Sequence, residues 1–226
     1  MRIGIIGSGV VAQTLGSKLI GLGHDLVLGT RDPNKLDDKK MFAATLREWK
    51  SQTEAGGQTA KIATFKQAAA HGQLLINATS GLVSLDALKL AAADSVGPKV
   101  LLDVANELDF SQGMPPRVLA SQERCLAEKL QSAFPNLQVV KSLNTISAPV
   151  MVDPQALGGG DHTVFVSGND AAAKETVVAL LRSFGWTEVL DLGDLSSARG
   201  PEMYLAMWVR LYGATQTGQL NVKVVR

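Results

Sequence analysis

The sequence predicts an α/β fold, a doubly wound and mainly parallel sheet with helices on both faces and a small C-terminal α/β lobe. Three observations predict it. Short apolar runs recur along the 226 residues, helix-like segments separate them, and a glycine-rich turn joins the first run to the first helix. A strand covered by helices on both faces shows no polar alternation, so it reads as a continuous apolar run. Strands and helices taking turns imply parallel crossovers of one hand.

"RIGII" (2–6) is a strand and leads through the glycine turn into a helix over "VVAQTLGSKLIGLG". "DLVLG" (25–29) is the second strand, "KKMFAATLREWKSQTEA" (39–55) a helix, and "AKIAT" (60–64) the third strand. "FKQAAAHG" makes one or two helical turns before the strand "QLLINAT" (73–79). "LDALKLAAA" (85–93) is helical, "KVLLDVAN" (99–106) extended, and "RVLASQERCLAEKLQSAF" (117–134) an amphipathic helix before the strand "LQVVKSL" (137–143). The loop "ISAPVMVDPQALGGGD" (146–161) is the longest irregular stretch and sets a soft boundary near residue 145. Beyond it the pattern repeats in miniature. "HTVFVSG" (162–168) is a strand, "DAAAKETVVALLRSFG" (170–185) a helix capped by Asp170 and ended by Gly185, and "TEVLDLG" (187–193) a strand. A last helix begins near Pro201 within "SARGPEMYLAMWVRLYG" (197–213).

Composition narrows the function. Hydrophobic residues make up 46% and charged residues 19%, enough for a packed core. The net charge of +1 and 5% aromatic content argue against a nucleic-acid partner. The single Cys125 excludes an intramolecular disulfide and a cysteine-based zinc site. The chain starts in a strand, without a charged segment, apolar segment and cleavage site in series, and no run of about 18 apolar residues occurs. The expectation is a cytoplasmic protein with no membrane partner and no metal.

The turn reads Gly7-Ser8-Gly9-Val10-Val11-Ala12, a G-x-G-x-x-A between a strand and a helix. Gly7 permits the tight turn, Gly9 lets a pyrophosphate approach the backbone, and Ala12 allows close helix–strand packing. The N–H groups at the helix start then face the phosphates. This context reads as dinucleotide binding in a Rossmann-type domain over residues 1–145. The second strand ends in Gly29-Thr30-Arg31, where an NAD-binding chain places a carboxylate for the ribose. A guanidinium bonds a phosphate in a planar, two-pronged way, Thr30 offers a hydroxyl, and Lys35 is a second cation. The pattern favours NADP. Asp32, two or three positions late, is the residue that would serve an unmodified ribose instead, with Arg31 then a solvated surface group.

Three more loops stand at strand carboxyl ends, where ligands bind in such folds. They are Thr79-Ser80-Gly81, Ala105-Asn106-Glu107, and Asn144-Thr145-Ile146-Ser147-Ala148. Small and polar residues suit a ribose and a nicotinamide amide, though each loop alone reads equally as a strand-ending turn. No obvious proton donor accompanies them. His24, His71 and His162 are scattered, Asp103 reads as a turn cap, and Lys174 reads as a solvated position. A flavin or deazaflavin ring accepts hydride directly and needs less help from a protein acid.

"RIGIIGSGVVAQTLGSKLIGLGHDLVLGTRDP" resembles the start of the NADP oxidoreductases that use the deazaflavin coenzyme F420. It is also similar to the cytosolic oxidoreductase domain of the six-transmembrane metalloreductases. The resemblance continues through "LLINATSG", "LLDVANEL", "VVKSLNTISA", "VFVSGNDAAAKETVVALL" and "DLGDLSSARGPEMYLAMWVRL", nearly the whole chain. It implies NADP(H) held by Ser8, Gly9, Val10 and Val11 at the phosphates and by Thr30 and Arg31 at the extra phosphate. It implies that Thr79-Ser80, Asn106 and Thr145–Ala148 surround the nicotinamide, and that the protein is a homodimer built partly from its C-terminal helices. Asn144 stands where the better-known deazaflavin reductases carry a His, and "DVANELDF" lacks the prolines expected there. The acceptor therefore stays open among coenzyme F420, a flavin and a quinone-like ring.

The leading reading is hydride transfer between NADPH and such a small-molecule ring, with residues 146–226 completing the substrate site and the dimer interface. An NADPH-dependent reductase of a small imine or of a hydroxy or keto acid ranks lower. A non-enzymatic NADP sensor is the third reading, and a closed face beside the nicotinamide would favour it. Tyr204, Met207, Trp208 and Leu211 recur at helical spacing and are read either as a dimer face or as packing within the chain.

Overall fold

The structure, a computed structural model, describes residues 1–39, 42–91 and 96–226. Eight strands form one sheet: β1 (Arg2–Ile6), β2 (Asp25–Thr30), β3 (Lys61–Thr64), β4 (Leu74–Asn77), β5 (Val100–Asp103), β8 (Gln138–Ser142), β9 (Thr163–Gly168) and β10 (Glu188–Asp191). Their spatial order is β3-β2-β1-β4-β5-β8-β9-β10. The strands from β3 across to β8 are parallel. β9 runs antiparallel to β8, with Val140 opposite Gly168, and β10 is parallel to β9. The fold is thus the doubly wound α/β sheet expected, and its last two strands are reversed. The chain after residue 145 extends the same sheet.

Side chains alternate between two apolar layers, which is why the strands carry so few polar residues. Ile3, Ile5, Leu26, Leu28, Leu74 and Ile76 face one layer, with α1 (Val10–Gly21) and α7 (Ala171–Phe184). Ile6, Val27, Leu75, Leu101 and Val139 face the other, with α3 (Phe65–His71), α4 (Gly81–Leu90) and α5 (Leu126–Ala133). Full burial of each such Ile or Leu contributes roughly 1.5–3 kcal/mol. The remaining helices are α2 (Leu46–Ala55), the short α6 (Ala148–Val152) and α8 (Arg199–Thr215). After α8 the tail runs back, and Thr163 N–H donates to Val222 O at 2.9 Å.

Two expected helices are shorter than their apolar pattern. The helix expected over 39–55 starts at Leu46, because Thr45 and Glu48 cap each other's backbone N–H groups at 2.8 and 3.1 Å. Residues 40 and 41 of that stretch lie outside the described residues, as do residues 92 and 93 of the helix expected over 85–93. The helix expected over 117–134 starts at Leu126. Arg117–Val118 form β7 instead, pairing antiparallel with Leu108–Asp109 (β6). The Ser121 hydroxyl then accepts the N–H of Glu123 at 3.3 Å, a local bond that competes with helix formation.

Candidate active site

β1 ends at Ile6 and the chain turns at once through Gly7, whose φ of 132° is a conformation L side chains rarely adopt. A Cβ there would also collide with the Ala78 carbonyl. Gly9 caps α1 without a side chain, and the first bond into the helix is Gln13 N–H to Gly9 O at 3.0 Å. The N–H groups of Val10, Val11 and Ala12 therefore have no partner inside the helix. A Cβ built on Gly9 meets nothing within 4 Å, so glycine here keeps a space open. Open space before a row of N–H donors, at the positive end of a helix dipole, fits a diphosphate.

Two cavities meet over this turn. The larger, of about 860 Å³, is lined by Gly7, Ser8, Gly9, Thr30, Arg31 and Lys35. The Ser8 and Thr30 hydroxyls lie 3.4 Å apart. Arg31 is exposed, and it pairs with no carboxylate among the described residues. Asp32 and Asp38 share this wall, and an Asp32 carboxylate oxygen accepts the Asn34 N–H at 3.0 Å. Phe65, Val83 and Leu90 form an apolar side of the cavity that sequence reasoning missed.

The smaller cavity, of about 290 Å³, is lined by Val10, Val11, Asn106, Asn144, Thr145 and Ala148. Thr79 and Ser80 line both cavities and join them. The structure thus brings the glycine turn, Thr30, Arg31, Lys35, Thr79, Ser80, Asn106, Asn144, Thr145 and Ala148 to one continuous cleft at the carboxyl ends of β1, β2, β4, β5 and β8, whereas Gly81 and Glu107 line neither cavity. Asn106 and Asn144 bond reciprocally, Nδ2 of Asn144 to Oδ1 of Asn106 at 3.0 Å and Nδ2 of Asn106 to the Asn144 carbonyl at 2.7 Å. Leu143, just before Asn144, has a positive φ of 61°, a backbone strain of about 1–2 kcal/mol that directs this turn towards β5. Leu108, Phe110, Ile146, Met151, Leu205 and Trp208 supply the apolar remainder. Ile146 lies in a loop singled out from the sequence and Trp208 was noted at its helical spacing; the sequence carried no signal for the other four. Among the described residues, no ionisable side chain lines this smaller cavity.

Beneath it lies a buried ionic cluster. Lys141, on β8, donates from Nζ to Asp103 at 2.8 Å, to Glu202 at 2.9 Å and to the Ala105 carbonyl at 2.6 Å. All three side chains are at most 1% exposed. Burial opposes the charge of Lys141, but the two carboxylates outweigh it and raise its pKa. Burial also raises the pKa of Asp103, against the pull of the ammonium group. The second acid is met by a helix end, since Glu202 accepts the N–H groups of Leu126 and Ala127 at 2.8 and 3.2 Å. Asp103 does accept the Ala105 N–H at 3.2 Å, as a turn cap would, and it also receives Asn77 Nδ2 at 2.8 Å. Lys174 is not solvated: it is 16% exposed and bonds Asp191 at 2.8 Å, tying α7 to β10.

None of the three histidines lines either cavity. His162, for one, is held by the Pro154 carbonyl at 3.0 Å and by Asn221 at 2.8 Å. No group of three or more potential metal-binding side chains occurs among the described residues. No helix among them is long and apolar enough to cross a membrane.

Comparison with known proteins bears on this cleft. The family model described as NADP oxidoreductase, coenzyme F420-dependent, matches residues 2–107. The chain is 44% identical to an Arthrobacter sp. FB24 protein assigned as an F420-dependent NADP-reductase, covering 100% of both chains with a TM-score of 0.93. It is 30% identical over 204 residues to the metalloreductase STEAP3 of Rattus norvegicus, covering 89% of this chain and 36% of that protein. The chain spans about a third of the length of the curated relatives it matches. An imine reductase of Streptomyces aurantiacus shares the fold, with a TM-score of 0.62 at 18% identity over 96% of this chain and 63% of that one. Given the full-length match at 44% identity, the chain belongs to the F420-dependent NADP oxidoreductase family, and it is an NADP-dependent oxidoreductase.

Proposed function

We propose that this enzyme transfers hydride between NADPH and the flat conjugated ring of a small molecule, coenzyme F420 or a flavin, bound in the smaller cavity. The nucleotide supplies or receives the hydride. The chain binds and orients. The N–H groups of Val10 and Val11, with Ser8, hold the diphosphate over Gly9, while Thr30, Arg31 and Lys35 hold the 2′-phosphate. Thr79 and Ser80 mark the passage to the nicotinamide end, where the Asn106–Asn144 pair forms a fixed polar floor. Ile146, Met151, Leu205 and Trp208 keep water from the reacting faces.

The observation that carries this reading is the character of the smaller cavity. It adjoins the phosphate turn, it is mostly apolar, and no ionisable side chain lines it among the described residues. A carbonyl or imine needs a proton at the atom next to the one that takes hydride. A flavin-type ring spreads the incoming charge itself and needs chiefly alignment. An open cavity there also favours an enzyme over a sensor. The same reading assigns residues 1–145 to the nucleotide and residues 146–226 to closing the acceptor site through α8. It makes the protein a cytoplasmic homodimer joined through α8, whose Met207 is 57% exposed.

The test uses NADPH deuterated at the nicotinamide C4 position, with coenzyme F420, FMN and a cyclic imine as separate acceptors. Transfer of the label to C5 of coenzyme F420, or reduction of FMN (whose N5 deuterium washes out into water) slowed by the deuterium on NADPH, with NADPH consumed in equal amount, is the expected result. Reduction of the imine alone would replace this reading with the imine reductase one. Binding of NADPH with no turnover of any acceptor would leave the sensor.

A further inference from the structure

We propose that Lys141 is a positioning residue for the redox site, its ammonium group fixing the Ala105–Asn106 loop and, through its two carboxylates, two other walls of the same cavity. The inference rests on the reading of the smaller cavity as the ring end of the cleft. Lys141 occupies the middle of an apolar strand, where burying an ammonium group is costly and a Met of similar length would pack without that cost. Its retention needs targets that only a cation can meet, and each of its contacts leads to a different wall.

The Ala105 carbonyl belongs to the loop that lines the cavity, and the next residue, Asn106, holds Asn144. Asp103 leads to the loop after β4: its Oδ1 takes Asn77 Nδ2 at 2.8 Å, and Asn77 Oδ1 takes the Thr79 hydroxyl at 2.8 Å. Glu202 leads to α8, where Leu205 and Trp208, one and two turns further on, face the cavity. A cluster serving stability alone has no need to join three walls of one cavity at a single nitrogen. Lys141 touches neither cavity itself, so it acts through its partners.

The test compares the parent with Lys141→Met and with Lys141→Met/Asp103→Asn. The double variant removes one charge of each sign and leaves Glu202 on the α5 N-terminus. Asn at 103 keeps the Oδ1 that faces Asn77 and the Ala105 N–H. Thermal unfolding, NADPH affinity, NADPH turnover with coenzyme F420 or FMN, and amide hydrogen exchange are measured on each. In the double variant, kcat should fall about tenfold or more, while KM for NADPH changes by less than about threefold. Amides 104–108 should exchange at least about tenfold faster, and amides 26–31 at the phosphate end should not change. A folded double variant with parental kcat and parental exchange at 104–108 overturns the assignment. So does a double variant that fails to fold, because Lys141 is then a stability residue only. If the parent turns over neither acceptor, the reading of the site fails separately, and exchange at 104–108 still decides whether Lys141 fixes the loop.

Discussion

Replacing Arg31 with Ala should remove most of the preference for NADPH over NADH and leave NADH binding nearly unchanged. The magnitude follows from where the guanidinium sits. Arg31 follows Thr30 on the wall of the larger cavity, exposed and without a carboxylate partner among the described residues. A two-pronged, charge-assisted bond to a phosphate contributes about 1.5–3 kcal/mol. Solvent around an exposed side chain puts this one at the low end, about 1.5 kcal/mol or roughly tenfold in affinity. Lys35 stays on the same wall and retains part of the attraction, while Asp32 and Asp38 repel a 2′-phosphate from there. With Arg31 gone one cation faces two carboxylates, so the wall no longer favours the extra phosphate and the variant should bind NADPH no more than about threefold more tightly than NADH.

Calorimetric titration of parent and variant with both nucleotides, at low and high salt, is the assay. The Debye length falls from about 10 Å at 0.1 M to about 3 Å at 1 M, so the parental preference should shrink with salt. The variant's ratio should not fall with salt. An equal loss of NADPH and NADH affinity would refute the reasoning, since Arg31 would then act on a part the two nucleotides share. Equal parental affinities would refute it differently, leaving Arg31 solvated and Asp32 at the ribose.

Gly9→Ala places a methyl in open space, so the melting temperature should stay within about 2 °C while NADPH affinity falls at least about tenfold; Gly7→Ala forces a side chain onto a positive φ and should instead destabilise by about 1–2 kcal/mol or more in urea unfolding. The Arg199 guanidinium, bonded to Glu128 at 2.6 Å, holds that carboxyl down to about 2 against the opposing effect of burial. A carboxyl lowered on folding adds stability that is complete above its unfolded value near 4.5 and is lost as the pH falls towards 2. Arg199→Met should therefore flatten that stretch of the stability–pH curve by about 1 kcal/mol, read from urea midpoints. Burial pushes the Cys125 thiol up to about 12, so Ellman's reagent should leave the native protein unlabelled at about pH 8 and label it on unfolding.

What could be read beforehand follows the range of the interactions involved. The strands were legible because burial on both faces is a local demand, met residue by residue in "RIGII" and "LLIN". The phosphate turn was legible for the same reason: Gly7, Gly9 and the start of α1 lie within a few residues of one another. The reversal of β9 was not, since an apolar strand reads alike in either direction and only its pairing with β8 distinguishes them. Nor was the start of α5, where the Ser121 turn and the β6–β7 pairing displaced a helix that periodicity alone supports.

The same distinction divides the cleft. The glycine turn of its larger cavity, Gly7 to Ala12, is built from contiguous sequence, so a motif announces it. Its smaller cavity, the proposed ring end, is assembled from the loops after β4, β5 and β8, the β6 segment and α8, which meet only in three dimensions. Lys141 shows why no motif can announce that end. Alone in "QVVKS" it is a lysine in a strand, and its meaning comes from Asp103, 38 residues before it, and from Glu202 on the far helix. A motif of local residues constrains the nucleotide, whereas the acceptor is constrained by surfaces that any of five segments can alter. Family membership therefore bears more directly on the cofactor than on the acceptor, and Asn144, held by Asn106, is the position from which acceptor choice is best probed. Asn144→His should break that reciprocal pair, leave NADPH affinity within about threefold, and shift the ratio of kcat for coenzyme F420 to kcat for FMN. An unchanged ratio in a folded, NADPH-binding variant would mean that the floor of the cavity does not choose the acceptor and that the α8 wall does.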